Sequence, residues 1–128
     1  SLRSVRYHEA RQAGLFDGSG LPVGDDWDEI DFPGIADKHT FALEIQGDRL
    51  RPAYRDGDIL VVSPTASIRR HDHVVLKARS GALSVGILLR RTAQRVELEA
   101  PGDEEGKLIF KVNNVEWLSR VIWAKLGS

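Results

Sequence analysis

From Phe41 onward the sequence is a series of short apolar stretches, each closed by a turn signal, and this pattern restricts the chain to a mostly-β fold. Phe41–Ile45 alternates with period two, the spacing that sends successive side chains to opposite faces of a strand. Ile59–Val62 is a continuous apolar run bounded by Gly57 and Pro64. His73–Ala78 and Leu83–Leu89 flank Arg79-Ser80-Gly81-Ala82, a hairpin-like turn. Arg95–Glu99 alternates again and stops at Pro101-Gly102; Leu108–Val112 and Trp117–Trp123 complete the series. Trp117 and Trp123, six apart, are expected on one face of that last strand. Only Leu50–Arg55 suggests a helical turn, which Pro52 restricts to the first turn. Many strands with no helices between them predict a compact β domain, not a parallel α/β sheet.

Residues 1–40 differ. Gly14, Gly18, Gly20, Pro22, Gly24, Pro33 and Gly34 break any period, around an acidic cluster of Asp25, Asp26, Asp28, Glu29 and Asp31. Val5 to Tyr7 is a candidate short strand in what otherwise reads as an irregular arm, with the β domain over residues 41–125. At 128 residues the chain suits one domain that buries roughly two thirds of its unfolded surface. No apolar run approaches the roughly 20 residues of a membrane span, and no signal-peptide pattern opens the chain. The absence of cysteine excludes disulfides and thiol chemistry and fits a reducing, cytoplasmic setting. A net charge of -1, with basic residues scattered along the chain, argues against a nucleic-acid-binding module. There is no methionine, so the chain reads as part of a longer protein with something upstream.

The run Gly47-Asp48-Arg49-Leu50-Arg51-Pro52, followed by Tyr54-Arg55-Asp56-Gly57-Asp58 and the apolar run to Pro64, carries a resemblance. It resembles the C-terminal domain of LexA-like and lambda-type repressors, a family of self-cleaving serine peptidases that carry Gly-Asp-Ser-Met-x-Pro at this place. The similarity extends over residues 41–124. Arg70-His71-Asp72-His73-Val74-Val75 resembles the family's Gly-Asp-x-Val strand start, with His71 for the glycine. Trp117–Trp123 resembles its Gly-Arg-Val strand, with Ser119 for the glycine. Gln12-Ala13-Gly14 lies where the family keeps its scissile Ala-Gly bond.

The resemblance implies a β-clip-like barrel of short strands, an irregular N-terminal arm holding the cleavage loop, and a helix-turn-helix DNA-binding domain upstream. It also implies a serine nucleophile activated by a lysine whose pKa is lowered by burial. Here Arg49 stands at the serine position and Gly86, in Ser84-Val85-Gly86-Ile87-Leu88, at the lysine position. A guanidinium stays protonated and offers no useful lone pair, and glycine supplies no base. The expectation is therefore a degenerate peptidase, not an enzyme, with Ala13-Gly14 a former cleavage site.

Several residues allow a plainer reading. Gly-Asp before proline is common in turns, and Ala-Gly alone is usually a loop. His71 and His73 with His8 offer at most three metal ligands; no metal and no cofactor is expected. Ser63, Thr65 and Ser84 are substitute nucleophiles and Lys77 a substitute base only on weak grounds, since hydroxyls near strand ends are mostly structural. Glu97, Glu99, Asp103, Glu104 and Glu105 read as a solvated face and tip. Arg49 either pairs with Asp48, Asp56 or Asp58 across the old groove or presents a cation to an anion or the acidic arm. The function this favours is a dimerisation and regulatory domain of a helix-turn-helix repressor. Its partner would be a second copy of itself, and it would reach DNA only through the upstream domain. The alternatives are an autopeptidase with a displaced nucleophile and a small-ligand or anion sensor that uses the groove.

Overall fold

The computed structural model describes residues 2–32, 34, 35, 37–48, 50–101 and 106–125. Among the described residues nine strands form one sheet: β1 (Leu2–Arg6), β2 (Asp28–Ile30), β3 (Phe41–Glu44), β4 (Ile59–Ser63), β5 (His73–Ala78), β6 (Leu83–Arg91), β7 (Arg95–Glu99), β8 (Lys107–Lys111) and β9 (Val115–Lys125). Their order is β2-β1-β3-β4-β9-β5-β6-β7-β8, so β2 and β8 are the edges. The mostly-β expectation holds. The only helical elements among the described residues are short 3-10 turns at Tyr7–Arg11 and Val112–Asn114. None is long and apolar enough to cross a membrane. The helical signal at Leu50–Arg55 is a single turn, closed by the Tyr54 amide donating to the Leu50 carbonyl at 2.8 Å.

The segment before Phe41 contributes two strands to the sheet. β1 pairs in parallel with β3 through Arg3↔Phe41 to Arg6↔Glu44, and the acidic stretch supplies β2, antiparallel to β1. Leu15 and Phe16 turn inward: Phe16 packs against Phe41 and Trp117, each with ring centroids 5.0 Å apart. Gly20 lets the chain pass flat against Trp117, where a Cβ would meet the indole at 2.9 Å. An aromatic cluster therefore fastens a segment with little periodicity of its own, because ring pairs add specific contacts to large apolar burial.

Among the described residues three clusters fill the interior. Phe41, Leu43, Ile45, Leu60, Val62, Val75, Val85 and Trp117 form the first, with Tyr54. Val74, Leu76, Leu88, Val96 and Leu98 form a second on the other side of β5, β6 and β7. Leu2, Ala42 and Val61 form a small third. Period-two alternation explains this division, since Val74 and Leu76 face one cluster and Val75 the other.

Two sequence expectations fail for local reasons. Trp117 and Trp123 do not share a face. The β4–β9 register shifts between Val61↔Trp123 and Val62↔Val121, which makes Ile122 an extra residue. That bulge resets the alternation, so Trp117 is 5% exposed in the core whereas Trp123 is 47% exposed and stacks edge-on against Phe32. Glu97 is not on a solvated face either; it is buried and reaches Lys107 Nζ at 3.5 Å. Glu99 is exposed, and Asp103, Glu104 and Glu105 lie outside the described residues.

Candidate functional site

The two sequence motifs that carry the resemblance are physically joined. The Gly47 amide donates to Asp56 Oδ1 at 2.8 Å, and the Gly57 amide donates to the Ile45 carbonyl at 2.9 Å. Asp58, buried, accepts from the Arg55 amide through Oδ2 at 2.9 Å. The acidic-Gly-Asp turn thus holds the Gly47 loop at the end of β3. His71, at the family's glycine position, has φ 77, a left-handed conformation that glycine adopts without strain. Arg49 lies outside the described residues, so the partner expected for it among Asp48, Asp56 and Asp58 is not described either.

A groove of about 610 Å³ opens beside this loop. Tyr7, His8, Gln46, Gly47, Asp48 and Ser84 line it, with Leu50, Leu83, Val85, Pro101 and Leu108 as apolar walls. Burial pushes the Tyr7 phenol up to about 12, so it is a neutral hydroxyl at any physiological pH. Gln46 Oε1 is buried with no hydrogen-bond partner among the described residues.

Gly86 falls outside the groove lining. It sits opposite Val74 and lines a separate cavity of about 190 Å³ with Tyr54, His73, Ile87, Glu99 and Pro101. A Cβ built on Gly86 comes 2.7 Å from the Glu99 carbonyl oxygen and 3.0 Å from Leu98 Cβ. Backbone, not a flexible side-chain tip, occupies the space that any larger residue here needs. Beside it the Tyr54 hydroxyl and His73 Nδ1 are 2.6 Å apart. Burial, reinforced by the charge of Asp58, pushes the Tyr54 phenol up to about 12. The phenol keeps its proton, so it can donate to Nδ1 or accept from it, according to the imidazole tautomer.

The substitute residues are dispersed. Ser84 alone reaches the groove. Ser63 Oγ accepts from the Ala66 amide at 3.1 Å, and Thr65 donates to Asp37 Oδ2 at 3.1 Å; both hydroxyls serve the β4–β5 connection. Lys77 pairs with Leu83 in the ladder and Ser84 with Leu76, so Lys77 and Ser84 point to opposite faces. The Lys77 ammonium instead lies 5.1 Å from the Phe16 ring centroid. Ala13 and Gly14 occupy an exposed turn and line neither cavity. His8 faces the groove and His73 the smaller cavity, and among the described residues no three His, Cys, Asp or Glu side chains are placed to hold a metal.

Sequence reasoning missed Tyr7, Gln46 and the Tyr54–His73 pair. Tyr54 follows the motif proline by two positions, a place that marks the loop but gives no sign of a histidine partner 19 residues on.

Comparison with curated proteins gave no match. The Peptidase S24-like family model matches residues 8–122, which takes in the groove lining apart from Tyr7, both diagnostic motifs and most of β9, and the chain therefore belongs to the Peptidase S24-like family of LexA-type and phage-repressor C-terminal domains.

Proposed function

We propose that this domain is the non-cleaving regulatory and self-association domain of a transcription regulator whose DNA-binding part is a separate helix-turn-helix domain. The observation that carries the reading is Gly86. The position supplies no amine, and the 2.7 Å approach of the Glu99 carbonyl to a built Cβ leaves no room for one. The substitute base considered, Lys77, faces away from Ser84, and its ammonium lies over the Phe16 ring. Without a base a hydroxyl in the groove stays a poor nucleophile. Arg49 at the expected serine position adds to the same case.

Self-association finds support on β9, where Ile122 and Trp123 are exposed next to one another. Apolar and aromatic side chains of this kind are enriched in the cores of homodimer interfaces. Pairing two such domains sets two DNA-binding heads on adjacent half-sites and raises their effective concentration. Incubation at alkaline pH with intact-mass readout tests the loss of cleavage: the chain and its Arg49→Ser variant should both keep full mass. A product beginning at Gly14 in either would end this reading.

A second reading rests on Gln46. Gln46 lines a groove of ligand size and its Oε1 is buried without a hydrogen-bond partner among the described residues; a bound group with an N–H or O–H donor would satisfy it once the amide turns outward. The domain would then answer to a small effector in place of self-cleavage. A ligand-dependent rise in the unfolding midpoint, abolished by Gln46→Ala, tests it.

A further inference from the structure

The far end of β6 gathers positive charge that the scattered sequence positions conceal. Arg70, from the loop before β5, and Arg90 and Arg91, at the end of β6, line one cleft of about 460 Å³. Ile68, Leu88 and Leu89 form its apolar floor. A bulge builds this arrangement. The β6–β7 register shifts between Leu88↔Leu98 and Arg90↔Glu97, leaving Leu89 as the extra residue, and such bulges re-aim the side chains that follow.

Two carboxylates that neighbour these arginines in the ladder or in sequence are engaged elsewhere. Glu97, opposite Arg90 in the ladder, turns to Lys107 at 3.5 Å. Asp72, two residues from Arg70, turns to Arg120 at 3.4 Å and accepts the Arg69 amide at 2.8 Å. Among the described residues none of the three guanidinium groups of the cleft has a carboxylate within salt-bridge distance. Like charges gathered at one cleft repel one another unless an anion sits between them. Guanidinium groups bind phosphoryl oxygens two at a time and stack on flat rings, a combination that lysine lacks.

We propose that this cleft is a binding site for an organic phosphate of the nucleotide class, with its phosphoryl groups on Arg70, Arg90 and Arg91 and its ring on the Leu88–Leu89–Ile68 floor. The site is separate from the groove at Gly47, so it stands or falls independently of the regulatory reading.

Isothermal titration at physiological salt, where loose surface attraction is largely screened, tests it with ADP, adenosine and pyrophosphate. ADP should bind saturably at one site per chain, at least about tenfold tighter than either fragment alone, because both halves of the cleft are used. The double variant Arg90→Gln/Arg91→Gln should weaken ADP by about tenfold or more per guanidinium lost. Arg70→Gln, from a different loop, should weaken it similarly. Arg11→Gln, at the opposite end of β6 beside Gly81, should leave it unchanged. Both changes in the cleft are at exposed residues, so unchanged unfolding midpoints accompany the expected result. Absence of saturable ADP binding, binding untouched by the arginine changes, or pyrophosphate binding as tightly as ADP would each overturn the proposal. So would binding seen only with duplex DNA and growing with its length.

Discussion

The two ends of strand β6 solve opposite problems. Toward its start, Gly86 lies so close to β7 that the Glu99 carbonyl occupies the place of a side chain on it. At its end, the bulge at Leu89 frees two arginines into a cleft where, among the described residues, no carboxylate lies within salt-bridge distance of them. The first end holds Gly86, which the resemblance sets at the family's lysine position, and is closed by packing. The second carries no family motif and is left open by electrostatics. On the proposed reading Gly86 denies a base twice, once in side-chain identity and again in the space around it, whereas the proposed charged site needs only one extra residue in a ladder.

Gly86→Lys gives the largest break of this contrast. Its side chain has to displace the β7 backbone, and we expect a loss of about 3 kcal/mol in urea unfolding, the upper range for overpacking. Joined to Arg49→Ser it should restore no cleavage, despite supplying both halves of a Ser–Lys pair. A stable, cleaving double variant would show that β7 yields easily. Gly86→Ala sharpens the point, because one methyl alone meets the carbonyl at 2.7 Å; a cost of about 1–2 kcal/mol is expected in the same assay.

Alkaline titration probes the cavity that Gly86 shares with Tyr54. Both Tyr54 and Tyr7 have folded pKa values raised from 10.0 to about 12. Raised values mean that the unfolded chain ionises first, so it binds fewer protons than the folded chain between these limits and stability falls as pH rises. The expected slope is about 1.4 kcal/mol per pH unit for each tyrosine between pH 10 and 12, with no contribution below that window. Tyr54→Phe should remove one tyrosine's share of the slope. An unchanged slope would place the Tyr54 hydroxyl in water. The smallest effect belongs to Ser84→Ala, whose side chain faces the open groove; a change within about 0.5 kcal/mol is expected.

Much of this fold is legible in the sequence. His73–Ala78 and Arg95–Glu99 read as strands with the bounds they have, because alternation and turn residues coincide there. The glycine-like demand at His71 is legible from the motif it interrupts and appears as φ 77. What escaped depends on partners distant in sequence. Asp28–Ile30 becomes a strand only by pairing with β1, and its own composition says loop. The extra residues Ile122 and Leu89 are defined by the opposite strand, so neither the outward turn of Trp123 nor the arginine cleft can be counted from one strand alone. At the candidate site the positions Gly47, Asp48 and Gly86 were legible from the motif. The separation of Gly86 from the groove was not, because it rests on where the β7 carbonyls lie.

Light scattering of the chain over a wide concentration range, with intact-mass spectrometry on the same samples after alkaline incubation, tests the central claim most directly. The account predicts a full-length species that is dimeric or larger, and that Trp123→Ser shifts toward monomer. A full-length monomer at every concentration would contradict the self-association role, and a product beginning at Gly14 would contradict the loss of cleavage.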